Sequence, residues 1–176
     1  MTVLVRSATA ADASTLARVA AATFALACPP HTTQASIETF IATVLSQECF
    51  EGYLADPQRD LFLAEDAGEA TGYAMLVTGE PADPDVRAAV RHRPTSELSK
   101  IYVLPDRHGA GTSHLLMQAC LDAARRRGSL GAWLGVNQLN ARAQRFYAKS
   151  GFERVGTKRF LVGDRYEDDY VYEQAL

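Results

Sequence analysis

A strand that stops at a proline and hands over, across a glycine-bearing turn, to a helix dictates much of what this chain can become. Thr95 to Leu104 (TSELSKIYVL) reads as a strand closed by Pro105. Gly111 to Arg127 reads as a helix that buries Leu115, Leu116, Ala119, Cys120 and Ala123. Between and into them runs Asp106-Arg107-His108-Gly109-Ala110-Gly111-Thr112-Ser113. Glycine lets the backbone turn tightly and approach a ligand. The first N–H groups of a helix lack internal partners and lie at the positive end of its dipole, which suits a phosphate or pyrophosphate. The segment has neither the GxGxxG of a dinucleotide site nor the GK[ST] of a P-loop, so a plain turn and helix cap is the competing reading.

The rest of the chain surrounds this unit with alternating elements. Val3 to Arg6 reads as a strand, and Asp12 as the cap of a helix carrying Leu16, Val19, Ala20, Phe24 and Ala27, stopped by Pro29-Pro30. A second helix is expected over 31–47, with Ile37, Phe40, Ile41, Val44 and Leu45 on one face, and a short third piece up to Ala55. Leu61 to Glu65 and Ala70 to Val77 form a hairpin. The Pro- and Asp-rich stretch from Gly79 to Arg93 reads as a surface loop. Ala132 to Val136 is a buried strand, Asn140 to Ser150 a short helix, and Phe152 to Val162 with Arg165 to Glu173 a closing hairpin across Gly163-Asp164. With no repeat, no linker and 176 residues, a single domain over 1–176 is expected.

Charge and composition exclude several classes. A net charge of -3 gives no basic surface for nucleic acid. No apolar run reaches the roughly 18 residues of a membrane span, and the N-terminus lacks a signal-peptide pattern, so a cytoplasmic protein is expected. The three cysteines, Cys28, Cys49 and Cys120, are odd in number and match no metal spacing, and His31, His92 and His114 show no paired spacing either. No metal is expected.

The segment ELSKIYVLPDRHGAGTSHLLMQACLDAARRRG, from Glu97, resembles the acetyl-CoA-binding core of the GNAT superfamily of N-acetyltransferases, whose signature [Q/R]-x-x-G-x-[G/A] follows a strand ending in Val-x-Pro. The signature's first position falls on His108 or Arg107, its central glycine on Gly111 and its last position on Ser113, where this chain departs from Gly/Ala. A second block, WLGVNQLNARAQRFYAKSGFERVG, is similar to the family's N-x-x-A-x-x-F-Y-x-x-x-G-F, on Asn140, Ala143, Phe146, Tyr147, Gly151 and Phe152. Within the superfamily, Pro30 to Thr33, Trp133 to Val136 and Val162 to Asp164 resemble the PaiA-type spermidine/spermine acetyltransferases.

The resemblance implies an α/β fold of the α+β mixed-sheet type: a GNAT fold, with a central, mostly antiparallel sheet of six to seven strands, a splayed parallel pair and flanking helices. It implies acetyl transfer from acetyl-CoA, as co-substrate, to a primary amine. A small-molecule amine, with a polyamine foremost, is the expected partner, and Glu38, Glu51, Glu97, Asp164, Asp168 and Asp169 are its candidate anionic contacts. A protein or peptide N-terminus or lysine, and a non-catalytic acetyl-CoA sensor, are the alternatives. Carried over by position, Ile101, Tyr102 and Val103 offer backbone to pantetheine, an N–H near Val103 serves the oxyanion, and His108, Gly109, Ala110, Gly111, Thr112 and Ser113 cradle the pyrophosphate, with Arg107, Arg142, Arg145 and Lys149 in reach of the phosphates. Asn140 and Ala143 belong to the cofactor side, Asn140 serving as helix cap, cofactor contact or both. Tyr147 matches the general acid, against a packed core aromatic. Glu97 matches the general base, against a solvated strand carboxylate or an anchor for substrate charge. The closing hairpin, with Tyr166, Tyr170, Val171 and Tyr172, is the surface expected for a homodimer.

Overall fold

The computed structural model describes residues 2–107 and 111–176. Its helices begin where short polar side chains can satisfy the first free N–H groups. Thr33 Oγ1 accepts from Ser36 N to start α2 (Gln34–Val44), and Ser46 Oγ from Cys49 N to start α3 (Gln47–Ala55). The helix expected over 31–47 is α2, shorter at both ends, and the short third piece expected up to Ala55 is α3, each opened by its own hydroxyl. Helix α1 (Ala13–Ala27) begins after a 3-10 turn, Ala10–Asp12. Asp12 does not cap α1 with its side chain. Its carboxylate accepts from Thr9 N at 2.7 Å and twice from the Arg6 guanidinium at 2.9 Å.

The seven strands are β1 (Val3–Ser7), β2 (Arg59–Asp66), β3 (Glu69–Thr78), β4 (Thr95–Val103), β5 (Gly131–Asn137), β6 (Glu153–Val162) and β7 (Arg165–Ala175). They form one sheet in the order β1-β2-β3-β4-β5-β7-β6, antiparallel except for β4 beside β5. The expected mostly antiparallel mixed sheet with one parallel pair is what the chain adopts. A parallel neighbour needs a crossover, and α5 (Thr112–Arg126) supplies it between β4 and β5.

Strands β2 and β3 read as nearly continuous apolar runs because both faces of the sheet are covered. On one face Ala74 and Leu76 meet Leu116, Met117 and Cys120 of α5. On the other, Tyr73 and Met75 meet Leu16, Val19 and Phe24 of α1, Phe40 of α2 and Phe50 of α3. The stretch from Gly79 to Arg93 is not wholly a loop. Asp83 accepts from Asp85 N and Pro84 takes the first position of α4 (Pro84–Ala89), whose Val86 packs with Val90, Trp133 and Val171. The last helix, α6 (Ala141–Lys149), lies between β5 and β6. No described helix is long and apolar enough to cross a membrane.

The apolar face expected on the closing hairpin is largely used within the chain. Val171 and Tyr172 are buried, and only Tyr166 of the four named residues is exposed, beside Leu161 on the neighbouring strand.

Candidate functional site

The parallel pair is short. β4 and β5 face each other only at Thr95–Gly131, Ser96–Ala132 and Glu97–Trp133. Past Glu97, β4 continues to Val103 along β3 alone, while β5 stays with β7 as far as Asn137–Asp169. The two strands therefore diverge into a fork, and a cavity of about 720 Å³ opens between them.

A one-residue bulge decides what β4 shows to that cavity. Leu76 stands opposite Leu98 and Met75 opposite Lys100, so Ser99 is an extra residue in the β4 ladder. In an uninterrupted strand Glu97 and Lys100 would take opposite faces. The bulge moves Lys100 and Tyr102 to the face of Glu97, the one covered by α1 to α3, and leaves Leu98, Ile101 and Val103 toward α5. Ile101, Tyr102 and Val103 all line the cavity.

The helix that follows begins at Gly111, whose φ of +77° is open to glycine and strained for other residues. Thr112 is buried, and its Oγ1 has no hydrogen-bond partner among the described residues. Ser113 lines the cavity from this helix start. From the other side come Asn140, Arg142, Ala143 and Tyr147 around α6. Asn140 Oδ1 accepts from Ala143 N at 3.1 Å, so the cap read from the sequence is made by a side chain that also lines the cavity. A helix start beside a strand edge that has lost its parallel neighbour fits an elongated phosphorylated molecule.

Electrostatically the cavity has two ends. Toward α6, burial holds the Tyr147 hydroxyl well above the ordinary tyrosine range, so it keeps its proton through neutral pH. Its ring packs against Phe146 and Phe152, with centroids 5.6 and 6.2 Å away. Toward α1 and α2 stand Glu97, Lys100, Lys158, Glu167 and Asp169, beside Phe24 and Phe40. Burial raises the Glu97 carboxyl above its usual range against the pull of Lys100, Lys158 and Arg59. Burial lowers the Lys100 ammonium to about 8, opposed by Glu97. Burial also pushes Asp169 up to about 6, with Lys158 Nζ 3.9 Å away pulling it down. His31 Nε2 lies 2.7 Å from Glu167 Oε1, joining the α1–α2 connection to β7.

Of the catalytic and cofactor-binding residues expected from the sequence, Glu97, Ile101, Tyr102, Val103, Ser113, Asn140, Ala143 and Tyr147 meet in this cavity, and Arg142 and Phe146 line it too. Gly111 and Thr112 stand at the adjoining helix start. His108, Gly109 and Ala110 lie outside the described residues. Glu97 is half-buried in the cavity wall. Of the other acids named, Asp169 lines the cavity, whereas Glu38, Glu51, Asp164 and Asp168 are exposed and do not. Arg107 is engaged by Asp66 Oδ2 at 2.9 Å and Glu69 at 3.4 Å, so it anchors the chain ahead of α5 to β2 and β3. Lys100, Lys158 and Glu167 were missed. The bulge hides the first, and the β6–β7 register, which a sequence does not print, brings in the other two. Among the described residues no group of three or more His, Cys, Asp or Glu could hold a metal ion.

The forked parallel pair leading into a helix start is the arrangement that the family resemblance implied, and comparison with known proteins bears on it directly. Residues 22–152 match the acetyltransferase (GNAT) family. A protein of Mycobacterium tuberculosis described as an uncharacterized N-acetyltransferase is 47% identical over 165 residues, which are 94% of this chain and 98% of that one. Another so described, from Lactobacillus delbrueckii subsp. lactis, is 25% identical over 141 residues, 78% of this chain and 76% of that one. Among solved structures, the PaiA N-acetyltransferase of Thermoplasma acidophilum in complex with coenzyme A superposes with a TM-score of 0.78 at 18% identity, over 100% of both chains. The chain belongs to the GNAT acetyltransferase family. It is an N-acetyltransferase of that type, and the family's acetyl donor is acetyl-CoA.

Proposed function

We propose that this chain transfers acetyl from acetyl-CoA to the primary amine of a small molecule, in a single domain spanning 1–176. The observation that carries the reading is the fork: Glu97 and Tyr147 line one cavity from opposite elements, with the opened edge of β4 between them. Ile101 to Val103 run along the pantetheine, and Gly111, Thr112 and Ser113 take the pyrophosphate, with the 108–110 segment beside them. Asn140 and Ala143 form the wall facing that arm.

Glu97, directly or through water, takes the proton of the incoming ammonium, since only the neutral amine attacks. The amine nitrogen bonds to the thioester carbon, the carbon–sulfur bond breaks, and the acylated nitrogen and Glu97 each release a proton to solvent. Tyr147 gives its hydroxyl proton to the departing sulfur and is reprotonated from solvent. Its hydroxyl carries its proton at neutral pH, as an ordinary tyrosine's does, and lines the same cavity as Glu97.

Glu97, Glu167 and Asp169 support an acceptor that arrives as a cation. A polyamine is one such acceptor, and a peptide N-terminus or lysine another. The test measures free-thiol release from acetyl-CoA with spermidine, spermine, aminoglycosides, amino acids and short peptides, and identifies the product by mass spectrometry. Thiol release that requires an added primary amine, with an N-acetylated product, is the expected result. Tight acetyl-CoA binding without turnover on any amine would overturn the reading in favour of a sensor.

A further inference from the structure

The charges at the α1–α2 end of the cavity do not all find partners within the protein. Glu167 is met by His31 at 2.7 Å. Asp169 has Lys158 at 3.9 Å. Lys100 is different. It lines the cavity, its Nζ lies 5.8 Å from the Phe40 ring centroid, and among the described residues it has no ion pair and no hydrogen bond. An ammonium withdrawn from water without an acceptor is costly to keep charged. The lowered proton affinity of Lys100 records that cost. Glu97, three residues earlier and on the same face because of the Ser99 bulge, also has no hydrogen bond or ion pair within 4 Å among the described residues. One wall of the acceptor end thus presents a carboxylate and an ammonium side by side, each open to a ligand.

We infer that the acceptor carries an anionic group as well as its primary amine, a carboxylate foremost, and that Lys100 binds the anion while Glu97 faces the amine. The inference rests on the acetyltransferase reading and narrows it. A polyamine would place a second cation where Lys100 stands, and like charges repel. An amino acid or a related amino-carboxylate satisfies both walls. The aromatic pair Phe24–Phe40, stacked with centroids 4.3 Å apart, lines the same end and offers apolar surface to the carbon chain joining the two groups.

Matched acceptors test this. 1,4-Diaminobutane and 4-aminobutyrate have the same length and differ in one terminal group; amino acids and their amides form a second pair, and aminoethylphosphonate with ethylamine asks whether a phosphonate serves as well. The expected result is a kcat/KM at least tenfold higher for the anionic member. In Lys100→Met that preference falls to near unity through KM, with the KM for acetyl-CoA unchanged. Lys100→Arg, which keeps the cation, retains most of it. The same comparison is read by calorimetric binding of each acceptor to the coenzyme A complex, so the inference is tested even if turnover is absent. A diamine that binds and reacts as well as the amino acid, or a Lys100→Met variant that weakens both members equally, would overturn it. Loss of turnover with every amine alongside preserved Lys100-dependent binding of the anionic member would instead overturn the acetyltransferase reading and keep the binding site.

Discussion

Glu97 and Trp133 are the last residues of β4 and β5 to stand opposite each other, and the fork opens beyond them. Trp133 is buried under α4, which fixes β5 at this point, while Glu97 is already half-buried at the cavity wall. The carboxylate therefore sits at the crotch of the fork, and its burial is what raises its affinity for a proton.

A base works in its deprotonated form, so kcat/KM should rise with pH through the elevated Glu97 pKa and level off above it. Glu97→Gln should remove that limb and lower kcat by about 10²-fold. A pH profile from 5 to 9 checks both. An unchanged acidic limb in the variant would assign the base elsewhere.

Asp66 and Arg107 make a stability prediction. Asp66 is 5% exposed, and its other oxygen, Oδ1, has no partner among the described residues. Asp66→Ala takes away the nearest partner of Arg107, leaving Glu69 at 3.4 Å and Asp106 at 3.7 Å, and should cost about 1–3 kcal/mol, below a fully buried broken pair because Arg107 is partly solvated and keeps these partners. Urea unfolding measures the cost. Because Arg107 also holds the chain just ahead of α5, the KM for acetyl-CoA should rise with it.

Asp169 gives the stability a pH dependence of definite sign. Its carboxyl is pushed to about 6 by burial, so the folded state holds this proton more tightly than the unfolded chain. The contribution is fully present below the ordinary carboxylate pKa of about 4 and is lost as pH rises through 6. Asp169→Asn should therefore gain on the parent between pH 4 and 7, by about 1–3 kcal/mol. Denaturation midpoints at the two pH values check it; a difference independent of pH would contradict it.

Much of this was legible in the sequence because the signals were local. The proline after Leu104, the glycine at 111 and the Asn140–Ala143 spacing each act within a few residues, and each led to the right element boundary. The hairpin of β2 and β3 showed in its apolar runs. Where the reading fell short, the deciding interaction was distant or irregular. Simple alternation would put Glu97 and Lys100 on opposite faces, and only a register shift against Met75 and Leu76 reveals otherwise. Lys158 and Glu167 reach the cavity through strand pairing far from the signature. Helix α4 was within reach, since Asp83-Pro84 is a start signal, but its six residues fall below what periodicity can separate from a loop. Asp12 had the residue type of a cap, yet Arg6 on β1 competes for its carboxylate.

The reaction itself is tested most directly at Tyr147. Its hydroxyl is the only part that phenylalanine lacks, and the ring contacts to Phe146 and Phe152 survive the change. Thiol release from acetyl-CoA, in the presence of the preferred amine, should fall about 10²-fold or more in kcat for Tyr147→Phe, with the KM for acetyl-CoA and the unfolding midpoint essentially unchanged. A variant that turns over at the parent rate would contradict the assignment of Tyr147 as the group that protonates the leaving thiolate.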